Sequence, residues 1–580
     1  MKYKLPNKSI ITKHLDDFRF QTARADALVH LSILGLSVGV LTSLVLTFFI
    51  FCVNSALALW LPLGDSENFE SLNLASRLLA PVLGSVILLL IYRFIAKESD
   101  GVGVVNVLER LRYHDGLIQL RSLVLQFIGA AVALVSGHSV GREGPAIHMG
   151  SAVGSVLGQQ LKLPHNSVRT LLACGSAAAI SAAFNTPLAG VIFAMEVIVV
   201  EYSFASFIPI MIAAVVAAGI AQWAFGSDAL LHIDAMPSIS AAEIPFLILL
   251  GVLVGCASTL FTYLIKAISI KTQSLGLSMR FILAGFVTGT LALLIPEIMG
   301  MGYDTINAAI LGQLSMSLLF AIMLLKLIAT ACAIACGIPA GLISPSLVIG
   351  AVGGALMASF LHHTLELPIQ NSGMYAIIGM SAMMGACLQA PLAALTAVFE
   401  ITTHHNIIWP SMLSIVVAQL VSRQIFKQPP VFDLLLSLRG FSYQHDPVTQ
   451  SLQRSSVKDA MSEDYVCLAR VFTRNTLEHI NLPEWIVIED NQMPVAAIAG
   501  HHLIAYLEQH PELDAIDLLD APFEQHTIAS IDIRSTLAKA REMFSQEKVA
   551  MLCVTHWNPL AQTFVQGVIS RESFNQTFIR

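Results

Sequence analysis

The sequence predicts an all-α polytopic membrane protein, built from two similar halves with broken helices and followed by a small α/β domain in water. Three observations lead there. Of 580 residues, 55% are hydrophobic and only 12% charged, against about 25% charged in an ordinary soluble domain. Two passages about 200 residues apart repeat the same succession of proline, glycine and glutamate. Near residue 440 the composition turns abruptly polar and mixed.

The first 26 residues are charged and lack the basic, apolar, small-residue succession of a signal peptide. Lys2, Lys4, Lys8, Lys13, Arg19 and Arg24 precede the first long apolar run, which places the amino terminus in the cytosol by the positive-inside bias. Apolar runs then recur over 27–63, 79–96, 122–135, 170–225, 244–270, 281–299, 317–361, 374–402 and 407–422. About 20 apolar residues cross a bilayer, so ten or more passes fit. Glycine and proline interrupt several runs, and a broken backbone at membrane depth is tolerated only where it is buried in protein or lines a cavity. The expected organisation is a cytoplasmic segment over 1–26 and a transmembrane domain over 27–440, its repeats spanning 27–225 and 240–440. A linker over 441–455 and a soluble domain over 456–580 follow. The eight cysteines show no CxxC spacing and mostly lie in apolar runs, so they read as buried small side chains. A formal charge of -7 gives no reason to expect nucleic acid.

The repeat carries the functional information. In "AFNTPLAGVIFAME" Pro187 precedes Glu196 by nine residues, and in "LQAPLAALTAVFE" Pro391 precedes Glu400 by nine. Upstream, Pro145 to Gly150 in "GPAIHMGSAVG" matches Pro345 to Gly350 in "SPSLVIGAVGG". Duplicated halves with breaks in corresponding places are a signature of transporter folds, with the substrate site where the halves meet. The sequence leaves open whether the halves are inverted. Pro145 and Pro345 each read as the first residue of a helix, where a missing N–H is harmless. Helix starts carry unpaired N–H groups and the positive end of the dipole, so two of them converging at midplane would receive an anion. Gly141, Gly144 and Gly341 let a ligand come close to the backbone. In "GREGP" the Glu143 carboxylate can take the place of that anion, and protonation would release it. The competing view pairs Arg142 with Glu143 as mutual neutralisation. For Glu196 and Glu400 the competing view is that each caps or braces a helix.

At these residues the sequence resembles the CLC family of chloride channels and chloride/proton exchangers. "GREGP" is similar to that family's gate motif, with Glu143 as the gating glutamate. "GIPAGLISP" is similar to its second anion-binding segment, which implies backbone donors at Leu342 and Ile343. "GVGVV" falls where the family's first anion segment lies, implying contacts from Gly101, Val102 and Gly103, with Arg142 and Gly144 beside them. The family's anion-binding tyrosine falls on Phe432. Val102 and Phe432 therefore replace two hydroxyl donors, and a central anion would rest on backbone N–H groups. Exchangers of the family commonly carry a second acid directly after the position of Glu196, and here that residue is Val197. The implied proton path through Glu196 and Val197 thus leans toward uncoupled, channel-like conduction of chloride, with chloride/proton antiport as the alternative. The resemblance also implies inverted halves of broken, tilted helices and a homodimer with one pathway per subunit. It extends to the tail, which is similar to a CBS pair: "VQGVISRESF" would offer Ser570 and Glu572 to an adenine nucleotide, while "AAIAGHHL" lacks both groups.

No HExxH, nucleophile-elbow or P-loop pattern is present, so no enzyme is expected. The histidine pairs at 362/363, 404/405 and 501/502 read as interface or loop residues, and no metal site is expected. A non-transporting membrane sensor is the remote alternative. Expected partners are chloride or a similar anion and the lipid bilayer of the plasma (inner) membrane, with both termini cytoplasmic and no cofactor beyond the tail's nucleotide.

Overall fold

The structure is a computed structural model that describes residues 28–61, 67–95, 101–200, 204–226, 241–365, 372–441, 447–473, 483–490, 493–510, 515–522, 524–547, 549–557 and 563–579. The expected amino-terminal segment 1–26 lies outside them. Two compact units emerge. One holds Leu31–Leu157 and Arg169–Tyr443, the other Gln444–Arg580 together with Gly158–Val168.

Among the described residues, the regular elements of the first unit are helices. In order it contains α1 (Leu28–Trp60), α2 (Leu74–Ile95), α3 (Gly103–Tyr113), α4 (Leu120–Val135), α5 (Glu143–Gln160), α6 (His165–Phe184), α7 (Pro187–Phe193) and α8 (Phe204–Phe225). The second half follows with α9 (Ile244–Thr272), α10 (Leu277–Leu294), α11 (Tyr303–Ile310), α12 (Met316–Cys336), α13 (Ile343–Leu365), α14 (Ser372–Leu388), α15 (Pro391–Thr402), α16 (Ile408–Leu420) and α17 (Val431–Leu438). Among the described residues nine helices are long and apolar enough to cross a membrane. At 1.5 Å per residue the 33 residues of α1 extend about 50 Å, against roughly 30 Å of hydrocarbon, so the helix is tilted or projects. Three apolar runs that read as continuous are each divided. Residues 170–225 hold α6, α7 and α8; 317–361 break between Cys336 and Ile343; 374–402 break between Leu388 and Pro391.

The two halves repeat each other in backbone detail. Asn185 and Gln389, with φ of 59° and 54°, turn the chain just before the prolines that open α7 and α15, and Val200 and Thr403, both at φ 57°, end the helical segments that follow. Residue types differ at these turns while the conformation is kept. The spacing of Pro145 to Gly150 and Pro345 to Gly350 has a packing cause. A Cβ on Gly150 would run into the Gly175 carbonyl oxygen of α6, and one on Gly350 into the Gly379 carbonyl oxygen of α14. Both α5 and α13 therefore lie backbone to backbone against the next helix, the small-residue packing that lipid-embedded helices favour.

Position within α5 and α13 corrects one expectation. Pro145 and Pro345 occupy the third helical residue, since the helices begin at Glu143 and Ile343. The first four N–H groups of a helix have no partner inside it, so proline is accommodated throughout that turn. Glu143 is consequently the first residue of the helix rather than part of a preceding loop.

The second unit contains β1 (Tyr465–Ala469), β2 (Val471–Thr473), β3 (Trp485–Asp490), β4 (Met493–Ala499), β5 (Ala515–Asp517), β6 (His526–Asp532), β7 (Met551–Trp557) and β8 (Thr563–Ser570). A six-stranded sheet runs β1-β3-β4-β6-β7-β8, and β2 pairs with β5. Parallel β1–β3 followed by antiparallel β3–β4 recurs as parallel β6–β7 and antiparallel β7–β8. Each copy ends by passing from its last strand straight into a helix, Gly500–Gln509 after β4 and Arg571–Ile579 after β8. Ile486, Ile488 and Leu503 pack in one core, Leu552, Ile569 and Phe574 in another. A short helix, Pro447–Arg454, occupies the expected linker.

Candidate functional site

The halves touch at their glycines. Gly141 N donates to Gly341 O at 2.7 Å and Gly341 N returns the bond to Gly141 O at 2.8 Å, an isolated antiparallel bridge. Because α5 and α13 start just after this bridge, their first turns lie side by side at one point of the membrane unit. Gly144 packs so closely there that a Cβ on it would stand 2.7 Å from Gly341 Cα.

Glu143 sits at this crossing with no exposed surface. Its Oε2 accepts from the backbone N–H of Ser344 at 3.3 Å and from the Ser344 hydroxyl, and its Oε1 accepts from the Tyr303 hydroxyl at 2.6 Å. The carboxylate thus lies on the first turn of the opposite half's broken helix, where helix geometry leaves N–H groups open and the dipole is positive. A Cβ at Gly141 would fall 2.5 Å from Glu143 Oε2 and 2.7 Å from Ser344 Oγ, so glycine there keeps the berth clear. Arg142 is not what holds the acid. Its Nε is 3.9 Å from Oε1, beyond a hydrogen bond, while an Nη2 donates to Ala183 O at 3.4 Å and the guanidinium lies 5.6 Å over the Tyr303 ring.

Tyr303 is positioned by a second acid. It opens α11, and Glu67 Oε2 accepts from the N–H groups of Tyr303 at 2.9 Å and Asp304 at 3.2 Å, capping that helix start. Glu67 lies in the loop between α1 and α2, where burial first and the nearby Asp304 next push its carboxyl up to about 7. No motif marked Tyr303, which arrives from a separate helix. Superposing "GLISP" on "GREGP" sets Ser344 against Gly144 and Ile343 against Glu143, so the meeting of Ser344 with the acid is a product of the fold.

A cavity of 380 Å³ adjoins the crossing, its wall including Val102, Gly103, Gly144, Gly341, Leu342 and Phe432. Five of the eight residues expected to meet an anion are in that group. Gly101, Arg142 and Ile343 are not in its wall. Gly101 O instead accepts from Asn106 Nδ2 at 2.7 Å and Ser122 Oγ at 2.5 Å, which fixes the turn before α3. Ile343 is buried as the first residue of α13. The N–H of Gly103 donates to Gln126 Oε1 at 2.6 Å, so that donor is already engaged.

Glu196 and Glu400 form reciprocal braces. Glu196 accepts from Leu392 N at 3.3 Å and Ala393 N at 2.7 Å, and Glu400 from Leu188 N at 2.9 Å and Ala189 N at 2.7 Å. Each carboxylate caps the "PLA" helix of the other half, the bracing alternative weighed from the sequence. Val197 beside Glu196 is 8% exposed. In the tail, Ser570 Oγ accepts from Ser573 N at 3.0 Å and so caps the final helix, while Glu572 is exposed.

Comparison with known proteins agrees with this geometry. The family profile for voltage gated chloride channels matches residues 83–423. The chain is 31% identical over 432 residues to the H(+)/Cl(-) exchange transporter ClcA of Vibrio cholerae, covering 70% of this chain and 88% of that one. Among solved structures, a slow cyanobacterial Cl-/H+ antiporter superposes with a TM-score of 0.63 at 23% identity, over 70% of this chain and 98% of that one. A eukaryotic CLC transporter gives 0.61 at 18% identity, over 94% of this chain and 98% of that one. This chain belongs to the CLC family, whose members are transporters and channels, and its fold is the CLC fold. It is a CLC-type anion transport protein.

Proposed function

We propose that the protein exchanges chloride or a similar small anion for protons, with Glu143 as the group that both blocks the anion berth and carries the proton. One observation supports this above the others: the Glu143 carboxylate rests on the Ser344 N–H at the start of α13, in the berth where an anion would be received. Protonation removes its charge and weakens its hold on Ser344 and Tyr303; the anion then takes its place. The relatives, an H(+)/Cl(-) exchange transporter and a Cl-/H+ antiporter by name, weigh toward coupling more than the sequence did. Channel-like conduction is the second reading, favoured by the buried Val197 where the resemblance leads one to look for another acid.

Reversal potentials in liposomes distinguish the two. With symmetric chloride and a pH gradient, an exchanger gives a non-zero reversal potential and a pure anion conductor gives zero. No anion flux from the pure protein, with or without Glu143→Gln, would defeat transport altogether.

The same reading includes a homodimer in the inner membrane with both termini cytoplasmic; the basic residues ahead of α1 support the placement of the amino terminus. It also includes a CBS-type tail, supported by the repeated strand-to-helix copies. Adenine nucleotide at Ser570 and Glu572 is tested by calorimetry on the full chain; no heat with ATP or AMP removes that part.

A further inference from the structure

Two arginines face the cavity beside the crossing, and only one has a counter-charge among the described residues. Arg439, just past α17, reaches Glu109 with Nη1 to Oε2 at 3.3 Å. Arg280, in the first turn of α10, donates an Nη2 bond to Ala335 O at 3.0 Å. Among the described residues no carboxylate stands within ion-pair distance of it, and its Nε, closed off from water, has no hydrogen-bond partner. An unpaired cation in a membrane unit and a buried donor without an acceptor are both unfavourable, and natural proteins keep them where something else completes them.

The crossing itself is short of donors. Val102 and Phe432 bring no hydroxyl, and the Gly103 N–H is engaged by Gln126. A full positive charge in the wall of the same 380 Å³ cavity raises the local concentration of anions and supplies what the crossing lacks. We propose that Arg280 forms a second anion subsite, holding a small monovalent anion of the halide class on its way to or from the crossing, an inference that rests on the transport reading above. The anion provides the counter-charge for the guanidinium and shares the cavity with Gly103, Leu342 and Phe432. Arg439, neutralised by Glu109, does not compete for it.

The test uses the full chain in liposomes, with chloride efflux measured across a range of chloride concentrations. Arg280→Gln should raise the half-saturating chloride concentration about five-fold while the maximal flux is kept, as expected for loss of an attracting charge. Arg280→Lys should stay near wild type, and added sodium isethionate should shrink the difference between wild type and the glutamine variant. An unchanged half-saturation in an Arg280→Gln protein that still transports overturns the subsite and leaves the transport reading standing. A wild-type protein without flux overturns the transport reading instead. Bromide soaked into wild-type crystals serves where the variants do not fold. An anomalous peak within hydrogen-bonding reach of the guanidinium supports the subsite, and bromide at the crossing with none at Arg280 overturns it.

Discussion

The two halves of the membrane unit begin their central helices in the same five-residue frame, Gly141 to Pro145 in one and Gly341 to Pro345 in the other, and they use it for opposite ends of one hydrogen bond. The first half contributes the acid, Glu143; the second contributes Ser344, in the place that Gly144 holds in the first. At Glu196 and Glu400 the halves have instead stayed alike, each acid capping the other half's helix at 2.7 Å from the matching alanine N–H. A device that only ties the halves together works best when both copies have it. A device that must let go works with a carboxylate on one side and donors on the other, because two facing carboxylates would repel.

The largest expected effect breaks the asymmetric pair. Glu143→Gln should raise chloride efflux about thirtyfold and remove its pH dependence, as loss of ~2 kcal/mol of charge-assisted hydrogen bonding implies. Efflux that keeps its pH dependence in this variant would show that the acid is not the gate. The symmetric pair should respond symmetrically. Glu196→Ala and Glu400→Ala should each lower stability by about 2 kcal/mol, read as thermal unfolding in detergent, and the two losses should add because the caps share no partner. A fall confined to one variant would end the equivalence of the halves.

Ser344→Ala tests the receiving side. It should raise efflux several-fold in the same direction as Glu143→Gln, and a reduced efflux would mean that Ser344 serves the anion and not the acid. Restoring the absent hydroxyls by Val102→Ser with Phe432→Tyr should tighten chloride binding by about 0.5 to 1.5 kcal/mol per hydroxyl in calorimetry; unchanged affinity would move the anion away from this wall.

The smallest effect concerns Glu67, which positions Tyr303. Its carboxyl is held at about 7 in the folded protein against an ordinary 4.5, so between those values the folded state binds the extra proton and stability falls as pH rises. Glu67→Gln keeps an acceptor for the α11 cap and loses the titration. The melting temperature of wild type relative to this variant should therefore drop between pH 5 and pH 8. A constant difference would place the carboxyl's titration outside that range.

Much of the architecture was legible in the residues because its causes are local. Composition set the membrane unit apart from the tail, and Pro145, Pro345, Pro187 and Pro391 marked the broken helices, since proline and glycine constrain their own backbone wherever they lie. Glu143 stood out for the same reason, as a charge in an apolar segment beside two glycines. Local rules placed the prolines two residues too early in the helix, because any residue of the first turn can do without its N–H.

What the sequence by itself determined is that two similar sets of interrupted helices cross a bilayer, that one of them opens with an acid, and that a strand-rich tail follows. Only the tertiary structure decided what the acid touches. Ser344 is 201 residues from Glu143 and Tyr303 is 160 away, and the glutamates 196 and 400 reach 197 and 211 residues to their alanine partners. Hydrogen bonds over such separations depend on how whole helices pack against one another, and no spacing along the chain encodes which first turn will lie beside which. The same holds for Arg280, an ordinary arginine in the sequence, whose lack of a counter-charge among the described residues exists only once the surrounding helices are in place.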